Sequence, residues 1–591
     1  MSEQPVSTWE AGEIGSLEIA PCPLCGGESI TPLTVGDQHN VGLVTVLCDK
    51  CGQGFLRARP TQAWYEAFYR DAYWPRYFRE SREQLQQAEV KHAQSILSTL
   101  ENAFSSPEKV ALDFGCALGG MLSAMKEIFP DVKACGYEES TEAGAYCRSN
   151  GFDVIDRDLG EIVRRYEGKC DLITSVNGLN RFARLGDCLA AIAACLSPTG
   201  QLILQLPDLS SDALRGIQFF QIAHVNYFTP QSIHRALARH GIKVDSIEHD
   251  PEGNGTLMTI KARKSAKAPE VSECGPEELQ AILTNVAECC INIKASPNSK
   301  DSVQQRKRKK PLTRVSKAIF TPIIRKFSRI LYQADPVETL ERLAILEKKV
   351  NALEIGNRET LRRMEVMVMA QENADLMWLY QNREHRMDAN VPNIFKENRR
   401  QFHKNRYRFA SALTRGRRVA DIACGVGYGS HLLLHQGGAE SVTGIDLDNE
   451  AVAYASRAYG DPKIQFLCAS GDQTPLETSS IDAVASFETI EHVPSDSGLL
   501  AEFHRILRPG GILICSTPND WPVEDAEFHV RSYDLKAFEA AIEQYFQIKQ
   551  MFNQNSGADW RFNHHQAPGI TATTPKNQLL AECYIVVAEK K

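Results

Sequence analysis

The sequence lacks a long apolar run, and this absence limits how the protein meets a membrane. Hydrophobic residues make up 43% of its 591 residues, yet no stretch approaches the roughly 20 apolar residues that a membrane-spanning helix needs. The sequence also lacks a secretory leader pattern, and its 17 cysteines are scattered rather than spaced as a disulfide framework. We therefore expect a cytoplasmic protein.

An excess of positive charge is absent as well. The formal net charge is −8, which argues against a nucleic-acid-binding surface along the whole chain. A chain of this length has room for roughly three to five structural units with ordinary buried cores.

What the sequence does contain is one glycine-bearing turn in two copies. Each copy follows an apolar strand, and a second acid ends the next strand 25 residues after the acid that opens the turn. Glycines let the backbone approach a ligand and the second acid can hold ribose hydroxyls, so this is the pattern of a nucleotide-cofactor pocket. The first copy consists of Asp113, Gly115, Ala117, Gly119 and Glu138, and the second of Asp421, Gly425, Gly427, Gly429 and Asp446.

Further landmarks extend the repeat beyond the turn. They follow one order in both halves and pair Cys170 with Ile481, Pro207 with Pro518, and His224 with His529. Such a series indicates tandem domains of one kind. We predict two related α/β domains over residues 90–264 and 395–591.

The acid that opens each turn bears on the choice of cofactor. A dinucleotide site usually has an apolar residue or glycine there and takes a pyrophosphate at the helix N-terminus. A carboxylate at Asp113 or Asp421 instead suits a ligand that carries an ammonium and a sulfonium. An oxidoreductase is therefore the least favoured interpretation, although the fold alone does not choose the cofactor.

The second half resembles class I S-adenosylmethionine-dependent methyltransferases. The resemblance rests on Asp-x-x-Cys-Gly-x-Gly-x-Gly from Asp421, on Gly444-x-Asp446, on Ser-Phe-Glu-Thr-Ile-Glu-His-Val and on Leu-x-Pro-Gly-Gly. Its flanks resemble methyltransferases found among surface-polysaccharide and O-antigen genes, and the N-terminal half resembles zinc-ribbon methyltransferases of the sugar type. The resemblance implies two Rossmann-like domains with mostly parallel seven-stranded sheets, S-adenosyl-L-methionine as cofactor, and a small-molecule or glycan acceptor.

The same resemblance assigns roles to individual residues. In the second domain Asp421, Gly425 and Gly427 would line the methionine moiety, Asp446 would hold the ribose, Asp472 the adenine, and Glu488 to His492 would form the floor near the methyl group. Four further residues are expected to bind the cofactor, namely Ala423, Leu447, Gln473 and Phe487. In the first domain Asp113, Gly115, Gly119 and Glu138 would occupy equivalent places. There Ala117 stands for the central glycine, and Asn180-Arg181 replaces the Glu-His pair. We expect catalysis in the second domain and leave the first open between activity and a binding role.

A hydroxyl acceptor must lose a proton during methyl transfer, so a histidine with a near-neutral pKa is useful. His492 is the first candidate, because it follows the strand that faces the methyl group. His529 is the second candidate, on the segment expected to cover the acceptor. For either residue, a structural hydrogen bond to the backbone is the alternative interpretation.

Four cysteines near the N-terminus stand apart from the rest. Cys22, Cys25, Cys48 and Cys51 form two Cys-x-x-Cys knuckles with 22 residues between them. Four thiolates with this spacing suit one tetrahedral structural Zn²⁺ and leave no open coordination position. We predict a zinc ribbon over residues 15–60, with redox chemistry as the weaker alternative.

The connecting segments carry weaker signals. Residues 61–89 form an aromatic-rich helical connector that suits a lid or simple packing, and residues 265–320 resemble a polar and basic linker. Residues 321–390 suggest an amphipathic helix and a helical or coiled-coil spacer. Within this region, residues 306–331 suit a peripheral contact with the inner membrane or a docked helix, and residues 340–370 suit self-association.

Other functions remain open at this stage. An RNA methyltransferase could use the ribbon and the basic run that ends at Lys310, but the fourth strand lacks the Asn/Asp-Pro-Pro-aromatic motif of amino-group enzymes that act on nucleic acids. A binding scaffold with inactive pockets is disfavoured by the intact second motif set. The expected function is methylation of a sugar in a cell-surface polysaccharide or its precursor.

Overall fold

The computed structural model describes residues 17–291 and 374–591, apart from 38–40, 70–72, 74–80, 99, 101–103, 105–108, 214–215, 250–255, 266, 268, 384–385, 392–393, 396, 522, 524–527 and 557–567. The predicted membrane segment at 306–331 and the predicted self-association segment at 340–370 lie outside the described residues. The chain divides into two compact units, Met1–Ile293 with Gln401–Lys591, and Lys294–Arg400. No helix of the described part is both long and apolar enough to cross a membrane.

The N-terminal ribbon is a small antiparallel sheet. Its strands are β1 (Leu17–Ile19), β2 (Ile30–Val35), β3 (Val44–Cys48) and β4 (Gly54–Pro60). The Asp37 carboxylate accepts hydrogen bonds from the backbone N–H groups of Val41, Gly42 and Leu43. This turn chemistry joins β2 to β3 and satisfies donors that would otherwise be buried without partners.

The first α/β domain alternates strands and helices. Its elements are α1 (Gln62–Ala67), α2 (Arg82–Leu97), β5 (Val110–Phe114), α3 (Gly120–Ile128), β6 (Lys133–Glu138), α4 (Thr141–Ser149), β7 (Asp153–Asp156), α5 (Leu159–Tyr166), β8 (Cys170–Val176), α6 (Leu185–Cys195), β9 (Leu196–Pro207), β10 (Asn226–Tyr227), α7 (Pro230–Arg239), β11 (Ile242–His249) and β12 (Leu257–Lys264). The sheet order is β11-β12-β9-β8-β5-β6-β7. Strands β5 to β9 run parallel and β12 runs antiparallel to β9. The central strands are buried on both faces, as their continuous apolar sequence requires.

The structure differs from the predictions at one boundary and within the predicted linker. Helix α2 begins at Arg82, where Ser81 forms a capping box with Gln84, so the boundary at residues 89 and 90 falls inside a helix. The predicted polar linker contains helix α8 (Pro276–Ile291), which buries Ile282, Val286 and other apolar residues. The apolar face of this helix is short. Because lysines and glutamates surround it in the sequence, the composition of the segment did not indicate a helix.

The second α/β domain repeats the same alternation. Helix α9 (Ala374–Gln381) precedes it, and its elements are α10 (Glu397–Ser411), β13 (Arg418–Ile422), α11 (Tyr428–His435), β14 (Ser441–Asp446), α12 (Asn449–Ala458), β15 (Ile464–Cys468), β16 (Ile481–Phe487), α13 (Asp496–Ile506), β17 (Leu507–Pro518), α14 (Leu535–Glu543), β18 (Phe546–Asn555), β19 (Gly569–Ala572) and β20 (Cys583–Lys590). Strands β13 to β17 are parallel, and β20 and β18 close the sheet in antiparallel fashion.

The second sheet does not stop at the predicted seven strands. Strand β19 pairs with β18 on one side and with β2 of the ribbon on the other, and Thr34 Oγ1 donates to the carbonyl of Ile570 at 3.0 Å. The result is a 13-stranded sheet in the order β15-β14-β13-β16-β17-β20-β18-β19-β2-β3-β4-β1, with β10 of the first domain paired to β4. The ribbon is therefore joined by strand pairing to both α/β domains.

Candidate cofactor sites and metal centres

The backbone angles of the two turns correspond in a register that differs from the one that the sequence comparison gave. Each turn contains three residues with left-handed backbone, and the last of them immediately precedes the helix. These residues have φ values of 79°, 48° and 82° at Gly115, Ala117 and Gly119, and of 61°, 54° and 85° at Ala423, Gly425 and Gly427. Ala117 therefore corresponds to Gly425, the first of the three glycines, and the expectation that it replaces the central glycine is wrong.

The second acid of each motif is tied to the turn by a hydrogen bond. In the second domain the backbone N–H of Gly425 donates to Asp446 Oδ2 at 2.8 Å. In the first domain Ala117 N–H donates to Glu138 Oε2 at the same distance of 2.8 Å. A Cβ added at Gly425 would meet no atom within 4 Å, so an alanine there would cost backbone strain without a clash in the protein.

The first acid of each motif is buried beneath the turn. Asp421 accepts hydrogen bonds from Tyr407 Oη at 3.2 Å and Ser430 Oγ at 2.7 Å. Asp113 accepts one from Thr174 Oγ1 at 2.6 Å. Burial raises the pKa of Asp113 and of Asp421 to about 7. A cation placed beside either carboxyl would stabilise its ionised form.

The remaining predicted cofactor residues of the second domain differ in exposure. Leu447 is 75% exposed and Gln473 is exposed, whereas Asp472 accepts a hydrogen bond from Ser470 Oγ at 2.5 Å. Phe487 is buried, and its ring lies edge-on to that of Tyr407 at a centroid distance of 4.9 Å. These residues follow the carboxyl ends of β14, β15 and β16, the edge at which open α/β sheets bind ligands.

Two residues of α10 belong to this site and were missed by the sequence analysis. Tyr407 contacts both Asp421 and Phe487, and the buried Arg406 pairs with Glu488 Oε2 at 3.3 Å. Arg406 Nε also donates to Gln554 Oε1 at 2.7 Å. The cofactor motif does not show that α10 packs over the turn, because the two segments meet only in the folded protein.

The structure brings both candidate bases together. The rings of His492 and His529 lie at a centroid distance of 4.7 Å and are nearly perpendicular. Nδ1 of His492 lies 3.0 Å from the carbonyl oxygen of Phe528. Burial, followed by the neighbouring His492, lowers the pKa of His529. The backbone contact expected under the structural interpretation of His492 is therefore present, while its Nε2 is left for other partners.

The first domain encloses a cavity of about 340 Å³ at the equivalent edge of its sheet. Carboxyl groups of Glu89, Asp113 and Glu138 line it together with Arg181. Burial raises the pKa of Glu89 to about 7 and also raises that of Glu138. The Arg181 guanidinium lies over the Tyr73 ring at 4.9 Å. A fixed cation thus stands where the second domain has His492.

The aromatic connector both packs and lines this cavity. The hydroxyls of Tyr65 and Tyr69 donate to the carbonyls of Ile222 and Ala223 at 3.0 and 2.9 Å. Tyr69 and Tyr73 also form part of the cavity wall. Residues of this connector therefore pack against the first domain and also line its cavity.

The segment that carries His224 corresponds to the one that carries His529. Val225 N–H donates to the Asn180 carbonyl at 2.8 Å, just as Val530 N–H donates to the Glu491 carbonyl at 3.0 Å. His224 is enclosed, and burial lowers its pKa to about 3. The nearby Arg181 also lowers this pKa, so His224 is neutral at physiological pH.

The four ribbon cysteines converge at one point. Their sulfurs all lie within 4.8 Å, with 3.6 Å between Cys22 and Cys51 and 3.5 Å between Cys25 and Cys48. Tetrahedral zinc with bonds of about 2.3 Å holds its sulfurs about 3.8 Å apart, so the donor set fits the ion. A Cβ at Gly27 would lie 3.2 Å from two of these sulfurs, which explains a glycine in the knuckle.

Comparisons with known proteins agree with this geometry. One family model described as a methyltransferase domain matches residues 82–247, and another with the same description matches residues 420–515. Each half of the chain thus contains a segment that matches a methyltransferase family model.

Individual relatives match only parts of the chain. It is 33% identical over 135 residues to a Mycolicibacterium smegmatis protein named "Probable S-adenosylmethionine-dependent methyltransferase", covering 22% of this chain and 50% of that protein. It is 34% identical over 99 residues to phthiotriol/phenolphthiotriol dimycocerosates methyltransferase 1 of Mycobacterium ulcerans, covering 17% and 36%. A solved S-adenosylmethionine-dependent methyltransferase of Mesorhizobium loti matches with a TM-score of 0.24 and 21% identity, over 30% of this chain and 92% of that one. The chain thus spans half or less of the length of these two curated relatives.

Proposed function

We propose that the protein is an S-adenosylmethionine-dependent methyltransferase whose catalytic centre is in the second domain. One observation carries this proposal: the Gly425 N–H holds Asp446 against the glycine turn, at the sheet edge that also carries His492. The intact turn and its anchored acid suit a nucleoside ligand, and the histidine suits an acceptor that must lose a proton.

The residues present fit this cofactor. Asp421 is a buried carboxyl that an ammonium would stabilise, Asp446 offers oxygens to ribose hydroxyls, and Phe487 offers an apolar face. When bound, S-adenosylmethionine supplies a methyl group already activated by its sulfonium. The chain itself would align the acceptor, exclude water and hold the acceptor's proton, with His492 or His529 in reach of it.

A glycan or small-molecule acceptor is the preferred substrate class. It rests on the resemblance of both halves to methyltransferases of sugars and surface polysaccharides. A lipid acceptor is the second candidate, because relatives are named as phthiotriol/phenolphthiotriol dimycocerosates methyltransferase and fatty-acid O-methyltransferase. Incubation with radiolabelled S-adenosylmethionine and separate pools of nucleotide sugars, polysaccharide, fatty acids and RNA distinguishes the two and tests the RNA alternative.

For the ribbon we propose one structural zinc on Cys22, Cys25, Cys48 and Cys51. All four positions are occupied by thiolates, so the ion would hold the knuckles together and take no substrate. The reduced, convergent sulfurs support this role over redox chemistry. Elemental analysis of the purified chain tests it.

Isothermal titration of S-adenosylmethionine into the full chain tests the main proposal. We expect binding that Asp446→Ala weakens strongly in the second domain, with Glu138→Ala as the matched change in the first. A stoichiometry of two that falls to one in either variant means that both pockets bind. A stoichiometry of one that only Asp446→Ala removes leaves the first domain without a cofactor role. Absence of any binding would reject the proposed function.

A further inference from the structure

Three potential metal ligands meet at the acceptor side of the second domain. A carboxylate oxygen of Glu491 and one ring nitrogen each from His492 and His529 lie within 4.8 Å of one another. Glu491 Oε1 is 3.9 Å from His492 Nε2. The two segments that carry them are clamped together, because Val530 N–H donates to the Glu491 carbonyl at 3.0 Å.

The local hydrogen bonds orient His492 and Glu491. A carbonyl oxygen can only accept, so the contact with Phe528 places the proton of His492 on Nδ1 and leaves the lone pair on Nε2. Glu491 Oε2 accepts from Thr517 Oγ1 at 3.2 Å. Metal-binding histidines commonly have such an arrangement, in which the second ring nitrogen donates to a carbonyl.

Two polar atoms at this point are buried and have no hydrogen-bond partner among the residues that the structure describes. They are Oε1 of Glu491, a residue only 1% exposed, and Nδ1 of His529. Leaving such atoms unpaired is unfavourable, and most of all for a charged group. A bound cation would satisfy both atoms and stabilise the carboxylate.

We propose that Glu491, His492 and His529 form a binding site for a divalent first-row transition metal. Two imidazoles and one carboxylate suit Zn²⁺, Co²⁺ or Mn²⁺ and leave coordination positions open. Bonds of about 2.1 Å hold adjacent donors about 3 to 3.5 Å apart, so side-chain rotations of about 1 Å close the cluster around the ion.

The open positions give the site a role in methyl transfer, and this role rests on the proposed function. An acceptor hydroxyl bound there becomes more acidic and releases its proton to water. Its oxygen lone pair then forms the new O–C bond while the C–S bond breaks and leaves its electron pair on sulfur. The histidines act in this scheme as ligands rather than as bases.

The first domain provides an internal contrast. Its equivalent residues are Asn180, Arg181 and His224, so an amide and a guanidinium replace two of the three ligands. A guanidinium carries no lone pair for a metal and stays charged. The proposed site is therefore confined to the second domain, in agreement with the predicted location of catalysis.

Counting bound ions in the full chain tests the site. After chelator treatment, separate samples are dialysed against Zn²⁺, Co²⁺ or Mn²⁺ and analysed for metal. With Zn²⁺ or Co²⁺ we expect two ions per chain, one in the ribbon and one at the proposed site. Glu491→Gln and His529→Ala should each lower the affinity for the second ion by at least ~100-fold, because even outer-shell partners are worth about 10–100-fold. His504→Ala, a half-buried histidine on α13, is the matched control and should retain two.

Cobalt distinguishes the two ions, because ribbon-bound Co²⁺ shows a thiolate charge-transfer band and the second ion lacks it. One ion per chain with every metal, or two ions in both ligand variants, would overturn the inference.

Titration of S-adenosylmethionine into the same variants separates this inference from the proposed function. Cofactor binding with no second ion removes the metal site alone. If the chain binds a second ion but no cofactor, the proposed function and the acceptor role are rejected, and the metal site is retained.

Discussion

The two α/β domains share a cofactor edge but differ on the side where an acceptor would lie. In both, the N–H of the turn residue, Ala117 or Gly425, holds the second acid at 2.8 Å, and a buried aspartate lies beneath the turn. After the fourth strand of each sheet, however, Asn180-Arg181 stands in one domain and Glu491-His492 in the other. The backbone of the pocket is thus retained while its reactive groups are exchanged.

The difference shows which features depend on the main chain and which on side chains. The left-handed turn residues and the strand order depend on backbone geometry, which glycine adopts freely and alanine adopts at a cost. Arg181 keeps its charge at all physiological pH values, so it cannot take a proton as a histidine can. The charge of Arg181 would also repel the sulfonium of the cofactor. The carboxyl groups of Glu89, Asp113 and Glu138 in the same cavity offset this repulsion. We therefore expect the first domain to bind ligands without performing the reaction of the second.

The ribbon is the feature that both domains share, and its loss should have the largest effect. Structural zinc contributes on the order of 10 kcal/mol in small zinc domains. Cys48→Ser should therefore remove hydrogen-exchange protection from the ribbon and then from both partners, β10 and β19. Cys468→Ser, at an exposed cysteine outside the ribbon, is the control. Loss confined to one domain would contradict the shared role.

Exchanging the residue after the fourth strand tests the contrast directly. His492→Arg should lower the rate of methyl transfer by about 10²- to 10⁴-fold, because it removes the side chain that would take the acceptor's proton or hold the metal ion that makes the acceptor more acidic. Arg181→His should leave the rate within about twofold. Initial rates at saturating cofactor measure both. Equal losses in the two variants would mean that the domains act together.

The buried aspartates predict a pH dependence of cofactor affinity. Burial raises the pKa of Asp421 to about 7, so below that pH the carboxyl is protonated and cannot pair with the cofactor's ammonium. Affinity should fall up to about tenfold per pH unit below 7. Titrations at pH 6, 7 and 8 measure it. Asp421→Asn should remove the dependence, and if Asp113→Asn removes it instead, the first domain is the binding site.

The smallest effect is expected from substitutions in the glycine turn. Gly425→Ala places a side chain at a φ of 54°, which costs about 1–2 kcal/mol and should lower the melting temperature by a few degrees. Ala117→Gly relieves the same strain at φ 48°, but the greater freedom of glycine in the unfolded chain offsets about 0.4–1 kcal/mol. Scanning calorimetry compares the two. A larger loss in Ala117→Gly would mean that its methyl group packs usefully.

Much of the architecture could be predicted because it leaves local signals. Apolar strands, the turns after Asp113 and Asp421, and the cysteine knuckles each require particular residues at short spacing. The errors arose where spacing was ambiguous or contacts were distant. Counting glycines paired Gly115 with Gly425, whereas backbone angles pair Ala117 with it. Helix α8 was missed because its few buried residues lie in a charged segment.

The sequence by itself determined that the chain carries two α/β domains with one kind of cofactor turn and a cluster of four cysteines. Those features depend on residues close together in the chain, whose conformations and ligand chemistry act locally. Only the tertiary structure decided that β19 pairs with β2, that Tyr407 lies over Asp421, and that His529 meets Glu491 and His492. These contacts join segments far apart in the chain, and the packing of whole elements determines their distances.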